Sequence, residues 1–275
     1  MFSLTAAVIS KYVLEVEPFL CQYEFADRSE SGKLDDLAMR ITPLGVGDAF
    51  DPDQSNSSSL VEQEGFTLLI DCGHSVVAPL WRARPDPEAI DAVFLTHLHS
   101  DHVVGLPSVM ERWSWEGRRK ELLVITTAEG ERQLNHLCTM LDIAPRYGVR
   151  FACGGSLSSV GPFALRTATT QHTIPNHALR LESRGRRFAY SGDGRPTPQS
   201  LALYADTDLL MHECWEPDPA PDISFHADLD TVRAIAGPGR IGLYHIRSGR
   251  RPAMIAAVAG DPRLFIAAAG AAFDV

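Results

Sequence analysis

The chain alternates short apolar runs with compact polar clusters in a regular order. Phe66-Thr67-Leu68-Leu69-Ile70 is an apolar run of strand length that stops at Asp71-Cys72-Gly73. Ala92-Val93-Phe94-Leu95 leads through Thr96 into His97-Leu98-His99-Ser100-Asp101-His102. Arg187-Phe188-Ala189-Tyr190 stops at Ser191-Gly192-Asp193-Gly194, Thr207-Asp208-Leu209-Leu210-Met211 at His212-Glu213, and Gly242-Leu243-Tyr244 at His245. Residues 41–46 read as a first core strand closing in a glycine turn, and 122–125, 163–165 and 178–181 as further strands. Helical spacing of Leu134, Leu137 and Leu141 predicts a helix over 129–141, and 228–236 reads as a second. Residues 51–59, rich in Asp, Ser, Asn and Pro, read as a loop.

Strands that repeatedly deliver His, Asp and Glu at their ends would gather those groups along one rim. Many strands with few helices predict stacked sheets covered by helices, a four-layer αββα sandwich of the α/β (α+β) class. No internal repeat is visible. Residues 1–40 read as an N-terminal extension of unreadable role, with the polar run Asp27-Arg28-Ser29-Glu30-Ser31-Gly32-Lys33, and residues 41–275 as the main domain.

Composition narrows the picture slightly. A hydrophobic share of 45% over 275 residues supports a substantial core. No apolar stretch of membrane-spanning length occurs, and the N-terminus lacks the basic leader and long apolar core of a secretory signal, so a cytoplasmic protein without membrane contact is expected. The net charge of −10 argues against generic binding to a phosphate backbone, although bound cations would offset part of it. The five cysteines are scattered and form no C-x-x-C pair; Cys72 and Cys214 read as small buried packing groups despite their nearness to candidate site residues.

The sharpest chemical signal is the run from His97 to His102. A strand exit can point His97 and His99 to one side while Asp101 and His102 lie on the turn that follows. Imidazole and carboxylate in that spacing suit zinc and other divalent transition metals.

This run, with its preceding strand and Thr96, resembles the signature of the metallo-β-lactamase superfamily. The other clusters agree with that family in order: Ile70-Asp71-Cys72-Gly73, Gln171-His172-Thr173-Ile174-Pro175, Tyr190-Ser191-Gly192-Asp193 and the strand-end His245. The resemblance extends from about residue 41 to 270. It implies two divalent metal ions, zinc first, with manganese or iron as alternatives. His97, His99 and His172 would hold one, Asp101, His102 and His245 the other, and Asp193 would bridge them. Asp71 would orient the metal loop by hydrogen bonding.

Two further features resemble the ribonuclease Z branch of that superfamily: Leu209-Leu210-Met211-His212-Glu213 and Ser224-Phe225-His226-Ala227-Asp228. By that resemblance Glu213 orients His226, which serves the leaving oxygen, while His212 is structural. The chain also departs from tRNA-processing members. Only twenty residues separate His172 from Asp193, too few for their flexible arm, and Gly194 stands where relatives usually have threonine. His177 stands where they tend to carry a small or apolar residue, which makes it a candidate substrate-binding group.

A two-metal centre of this kind attacks through a bridging hydroxide that is available at neutral pH. With Asp101 holding the nucleophile in line and His226 assisting the leaving group, the expected activity is that of a phosphodiesterase on a small or cyclic phosphodiester, with tRNA disfavoured. A carboxylic ester or lactone hydrolase is the alternative; a binding protein without catalysis is weaker, because the ligand set is complete. Homodimerisation is a family-level expectation.

Overall fold

The computed structural model describes residues 37–127, 129–220 and 222–275. Six strands, β1 (Arg40–Gly45), β2 (Ser58–Gln63), β3 (Phe66–Ile70), β4 (Ala92–Phe94), β5 (Leu122–Thr126) and β6 (Val149–Cys153), lie side by side in chain order. Seven more, β7 (Ser159–Val160), β8 (Phe163–Thr169), β9 (His177–Ser183), β10 (Arg186–Tyr190), β11 (Leu209–Glu213), β12 (Arg240–Tyr244) and β13 (Leu264–Ile266), form a second sheet in the same manner. The last strand, β14 (Phe273–Asp274), returns to pair with β1, which gives two seven-stranded sheets. Each sheet is antiparallel in its first half and parallel from β3 to β6 or from β10 to β13.

Side-chain alternation along the central strands explains the layering. Phe66, Leu68 and Ile70 of β3, Phe94 of β4, Phe188 and Tyr190 of β10 and Met211 of β11 pack into one apolar layer between the sheets. Leu69, Val93 and Val124 point the other way, against α1 (Val77–Ala83), α3 (Leu106–Trp115) and α4 (Gly130–Met140). On the opposite face Ala189, Leu210 and Leu243 meet α5 (Pro198–Tyr204), α6 (Leu229–Arg233) and α7 (Arg251–Val258). Strands buried on both faces read as unbroken apolar runs, and the predicted αββα sandwich is the observed one. No helix among the described residues is long and apolar enough to cross a membrane.

The proposed extension, residues 1–40, lies almost wholly outside the described residues, though Met39 is already buried in the core and donates its N–H to the Val275 carbonyl. The polar stretch 51–59, expected to be a loop, runs into β2 at Ser58, and Ser57, Ser58 and Ser59 are buried. The Ser57 hydroxyl donates to the Gly47 carbonyl and the Ser58 hydroxyl to the Asp71 carbonyl, so polarity there does not mark exposure. The helix expected over 228–236 is the shorter α6, with Asp228 accepting from the Thr231 N–H as its N-cap. The strand β6 and helices α1, α3, α5 and α7 were not anticipated; each mixes polar residues into a short element.

Parallel strands end together, so the polar clusters that follow β3, β4, β10, β11 and β12 share one rim. Phe94 sits directly beneath it, fully buried in the layer between the sheets. Phe94→Ala should cost about 3–5 kcal/mol of unfolding free energy, read from urea titration of the full chain.

Candidate metal centre

The chain leaves β4 through Leu95-Thr96 and enters α2 (Ser100–Val103), a single helical turn that carries Asp101 and His102. That turn is backed by the Asp71-Cys72-Gly73 corner: the Cys72 N–H donates to the His102 carbonyl at 2.7 Å. Gly73 is required by the close approach, since a Cβ there would lie 1.9 Å from the Asp101 carbonyl oxygen. Asp71 and His245 both hold left-handed backbone, φ 57° and 53°, which turns each off its strand end toward the rim.

All seven residues assigned to metal binding converge. The Nε2 atoms of His97 and His172 each lie 3.0 Å from Nδ1 of His99. Asp101, His102, Asp193 and His245 form a second group whose ligand atoms lie within 4.8 Å of one another. Asp193 stands between the two. Its Oδ2 is 3.3 Å from His245 Nε2, 3.5 Å from His102 Nε2, 3.8 Å from His97 Nε2 and 4.0 Å from His172 Nε2.

The outward hydrogen bonds decide which ring nitrogens face inward. Thr96 donates its hydroxyl to Asp71 Oδ2, so its oxygen accepts from His97 Nδ1 at 3.0 Å. Ser57 donates to the Gly47 carbonyl and accepts from His245 Nδ1 at 3.2 Å. His172 Nδ1 donates to the Phe225 carbonyl and His102 Nδ1 to Asp71 Oδ2, both at 2.8 Å. These rings therefore turn lone pairs toward each other and toward Asp193. Acceptors crowded against acceptors, with Asp193 Oδ1 buried and without a partner among the described residues, are what a site for divalent cations requires.

The electrostatics agree. Burial and the neighbouring imidazoles hold His97, His99 and His172 below the ordinary histidine range, which keeps their nitrogens free to coordinate. Burial also opposes charge on Asp193, but His245 and His102 outweigh it and keep the carboxylate ionised. At His102 burial is overcome by Asp193, Asp71 and Asp101, which favour a second proton on the ring; a cation seated there replaces that proton. Asp71 does not reach the centre. It accepts from the Thr96 N–H, the Thr96 hydroxyl and His102.

The Glu213 and His226 side chains also meet. Glu213 Oε1 lies 3.1 Å from His226 Nδ1 and accepts from the Gly194 and Ala227 N–H groups at 2.8 and 3.0 Å. His226 offers a ring nitrogen within 4.8 Å of a His172 nitrogen and an Asp193 oxygen. Burial opposes charge on His226, but Glu213 outweighs it and raises its pKa. His212 points away from the rim, buried beside Tyr204. His177, half-buried at the start of β9, donates its backbone N–H to the Thr96 carbonyl, and burial lowers its pKa. Its Nδ1 has no hydrogen-bond partner among the described residues. Cys72 and Cys214 are buried thiols pushed up by desolvation, consistent with packing roles.

Several supporting residues gave no sequence signal. Trp215 stacks on His226 at 4.6 Å with planes 9° apart. Asn176 accepts from the Asp193 N–H and donates to the Ser191 carbonyl. Gly194 now has a reason. Its φ is +109°, and a Cβ would meet the Gln171 carbonyl at 2.6 Å and Thr170 Oγ1 at 2.7 Å.

A mixed-sheet αββα body with this rim belongs to the metallo-β-lactamase fold and, within it, to the ribonuclease Z-like, phosphodiesterase branch; the connection between His172 and Asp193 is the hairpin β9–β10, with no arm. The Anti-Pycsar protein Apyc1 family model matches residues 39–253, and the chain belongs to that family. It is 29% identical over 210 residues to the Anti-Pycsar protein Apyc1 of Paenibacillus harenae, covering 70% of this chain and 83% of that protein. It is 26% identical over 270 residues to a ribonuclease Z of Haloarcula marismortui, covering 76% of this chain and 86% of that one. The metallo-β-lactamase-fold protein YhfI of Bacillus subtilis superposes with a TM-score of 0.75 at 21% identity, over 86% of this chain and 100% of that structure. The chain is a metal-dependent hydrolase.

Two outcomes follow from the geometry. Asp71→Ala removes the acceptor that sets the His102 tautomer and should weaken metal binding by about 10–100-fold, measured by chelator competition. Gly194→Thr should destabilise the chain by about 1–3 kcal/mol, measured by thermal unfolding.

Proposed function

We propose that the chain is a phosphodiesterase acting on a small or cyclic phosphodiester, with two divalent metal ions, zinc first. The observation that carries the reading is the Glu213–His226 pair, 3.1 Å apart, placed against the convergent His172 and Asp193. An alkoxide leaving from phosphorus gains from a separately oriented acid beside the metal centre.

His97, His99 and His172 would hold one ion, and Asp101, His102 and His245 the other, with Asp193 between. Bound there, the ions supply charge neutralisation on the phosphoryl oxygens and a nucleophile at neutral pH. The chain's own groups do the rest. Asp101 orients the attacking oxygen. Glu213 fixes the His226 ring through Nδ1, and Trp215 fixes its plane by stacking, so that Nε2 delivers a proton to the departing oxygen. Asp71, Thr96, Ser57 and the Phe225 carbonyl hold the ligand rings in the tautomer that coordinates. His177, half-buried at the start of β9, is the group assigned to substrate binding.

Support for a small substrate comes from the β9–β10 hairpin, which turns at Arg184 and Gly185 where an arm would be needed to hold tRNA, and from the net charge of −10. The test is metal analysis followed by rates on a cyclic nucleotide, a bis-aryl phosphodiester, an acyl lactone and a β-lactam. About two metal ions per chain and highest activity on a phosphodiester are expected; activity confined to the lactone would overturn the reading. His226→Ala should lower turnover of a diester with an alkoxide leaving group by about 10²–10⁴-fold, and an unchanged rate would remove His226 from the mechanism.

A further inference from the structure

His226 is carried on a loop with little packing of its own. Its neck is closed by backbone contacts: the Trp215 N–H donates to the Ala227 carbonyl and the Leu229 N–H to the Glu216 carbonyl. Arg247 and Arg250 pair with Glu216, also at the neck. Between Glu216 and His226 most described residues are exposed or only half-buried, so apolar burial cannot fix where the histidine sits.

Arg195 does. It lies two residues beyond Asp193, and its backbone exchanges both hydrogen bonds with Gln171, the neighbour of His172, at 2.9 and 3.0 Å. Its side chain enters the loop. Nε donates to the Ile223 carbonyl at 2.9 Å, Nη1 to Thr231 Oγ1 at 2.7 Å, and Nη2 to the Ala220 carbonyl at 3.0 Å and Asp228 Oδ2 at 2.8 Å. Gln171 Nε2 donates to the Ser224 carbonyl at 2.8 Å, and His172 Nδ1 to the Phe225 carbonyl at 2.8 Å. Thus the carbonyls of Ala220, Ile223, Ser224 and Phe225 are held by Arg195, Gln171 and His172, residues of the loops that bring in the metal ligands.

We propose that Arg195 is a positioning residue for the reaction: its guanidinium clamps the 216–228 loop so that the Phe225 carbonyl meets His172 and His226 meets Glu213. One clamp then serves two ends, the tautomer of a metal ligand and the placement of the leaving-group acid. The geometry is specific to a planar fork with donors in three directions, which a lysine ammonium cannot reproduce. The inference rests on the reading of His226 as that acid.

The experiment compares the full-length chain with Arg195→Met, Arg195→Lys and His226→Ala. Two phosphodiesters are used that share one phosphoryl core, one with a p-nitrophenyl leaving group and one with an alkyl alkoxide. The readouts are kcat and KM on each, metal content, chelator competition and thermal unfolding. In Arg195→Met, kcat on the alkyl diester should fall at least roughly tenfold further than on the aryl diester, with KM little changed, and chelator competition should show metal affinity weakened by about tenfold. Arg195→Lys, which keeps the charge and spares the fold, should show the same selectivity. Equal losses on both substrates in the folded variants, or no loss, would overturn the clamp while leaving His226→Ala selective. If His226→Ala is itself unselective, the acid reading fails and the clamp falls with it.

Discussion

One buried carboxylate oxygen organises this molecule. Asp193 Oδ2 stands within 4.0 Å of ring nitrogens from four histidines. Two of them, His97 and His102, arrive from the first sheet and two, His172 and His245, from loops of the second. A buried charge is tolerated only when it is compensated, and a cation between the imidazoles and that oxygen would compensate it, so each loop must end where its imidazole can reach the shared space. The left-handed turns at Asp71 and His245, the close approach at Gly73 and the strained Gly194 are the backbone's answers to that demand.

How much of this was legible depended on how local the information was. The run from His97 to His102 is contiguous, and its chemistry could be read from residue types alone. His172, Asp193 and His245 are single polar residues at strand ends; only their order along the chain, seen through a family resemblance, distinguished them from ordinary loop residues. The αββα layering was readable because strands buried on both faces leave unbroken apolar runs. What escaped were contacts made by generic groups. The carbonyl of Phe225 lies within the stretch Ser224–Asp228 but is a backbone group with no side-chain signal, and the Ser57 hydroxyl lies in a polar run that looks like a solvated loop. Trp215 acts through the flat face of its ring. None of these has a residue-type signature, since any residue has a carbonyl and many surface loops have serines.

The ribonuclease Z-like elements fall into place around the same rim. Glu213 serves three groups with one oxygen, tying Gly194 beside Asp193 to Ala227 and His226 on the long loop. Gly194 leaves room for the Gln171 carbonyl and Thr170, and its backbone N–H is held by Glu213. The absence of an arm between His172 and Asp193 leaves the rim and its flanking loops to define what is bound.

The division of the ligands between the two sheets has a thermodynamic meaning as well as a chemical one. The apolar layer joining the sheets is non-directional and would tolerate some sliding. Cations held by residues from both halves would act as cross-links at one end of that layer. Because a ligand that binds only the folded chain adds its binding free energy to the folded state, the register of one sheet upon the other would then be linked to the free concentration of metal around the protein. The same ions that would carry the chemistry would thus report, through the stability of the whole sandwich, whether the cell supplies them.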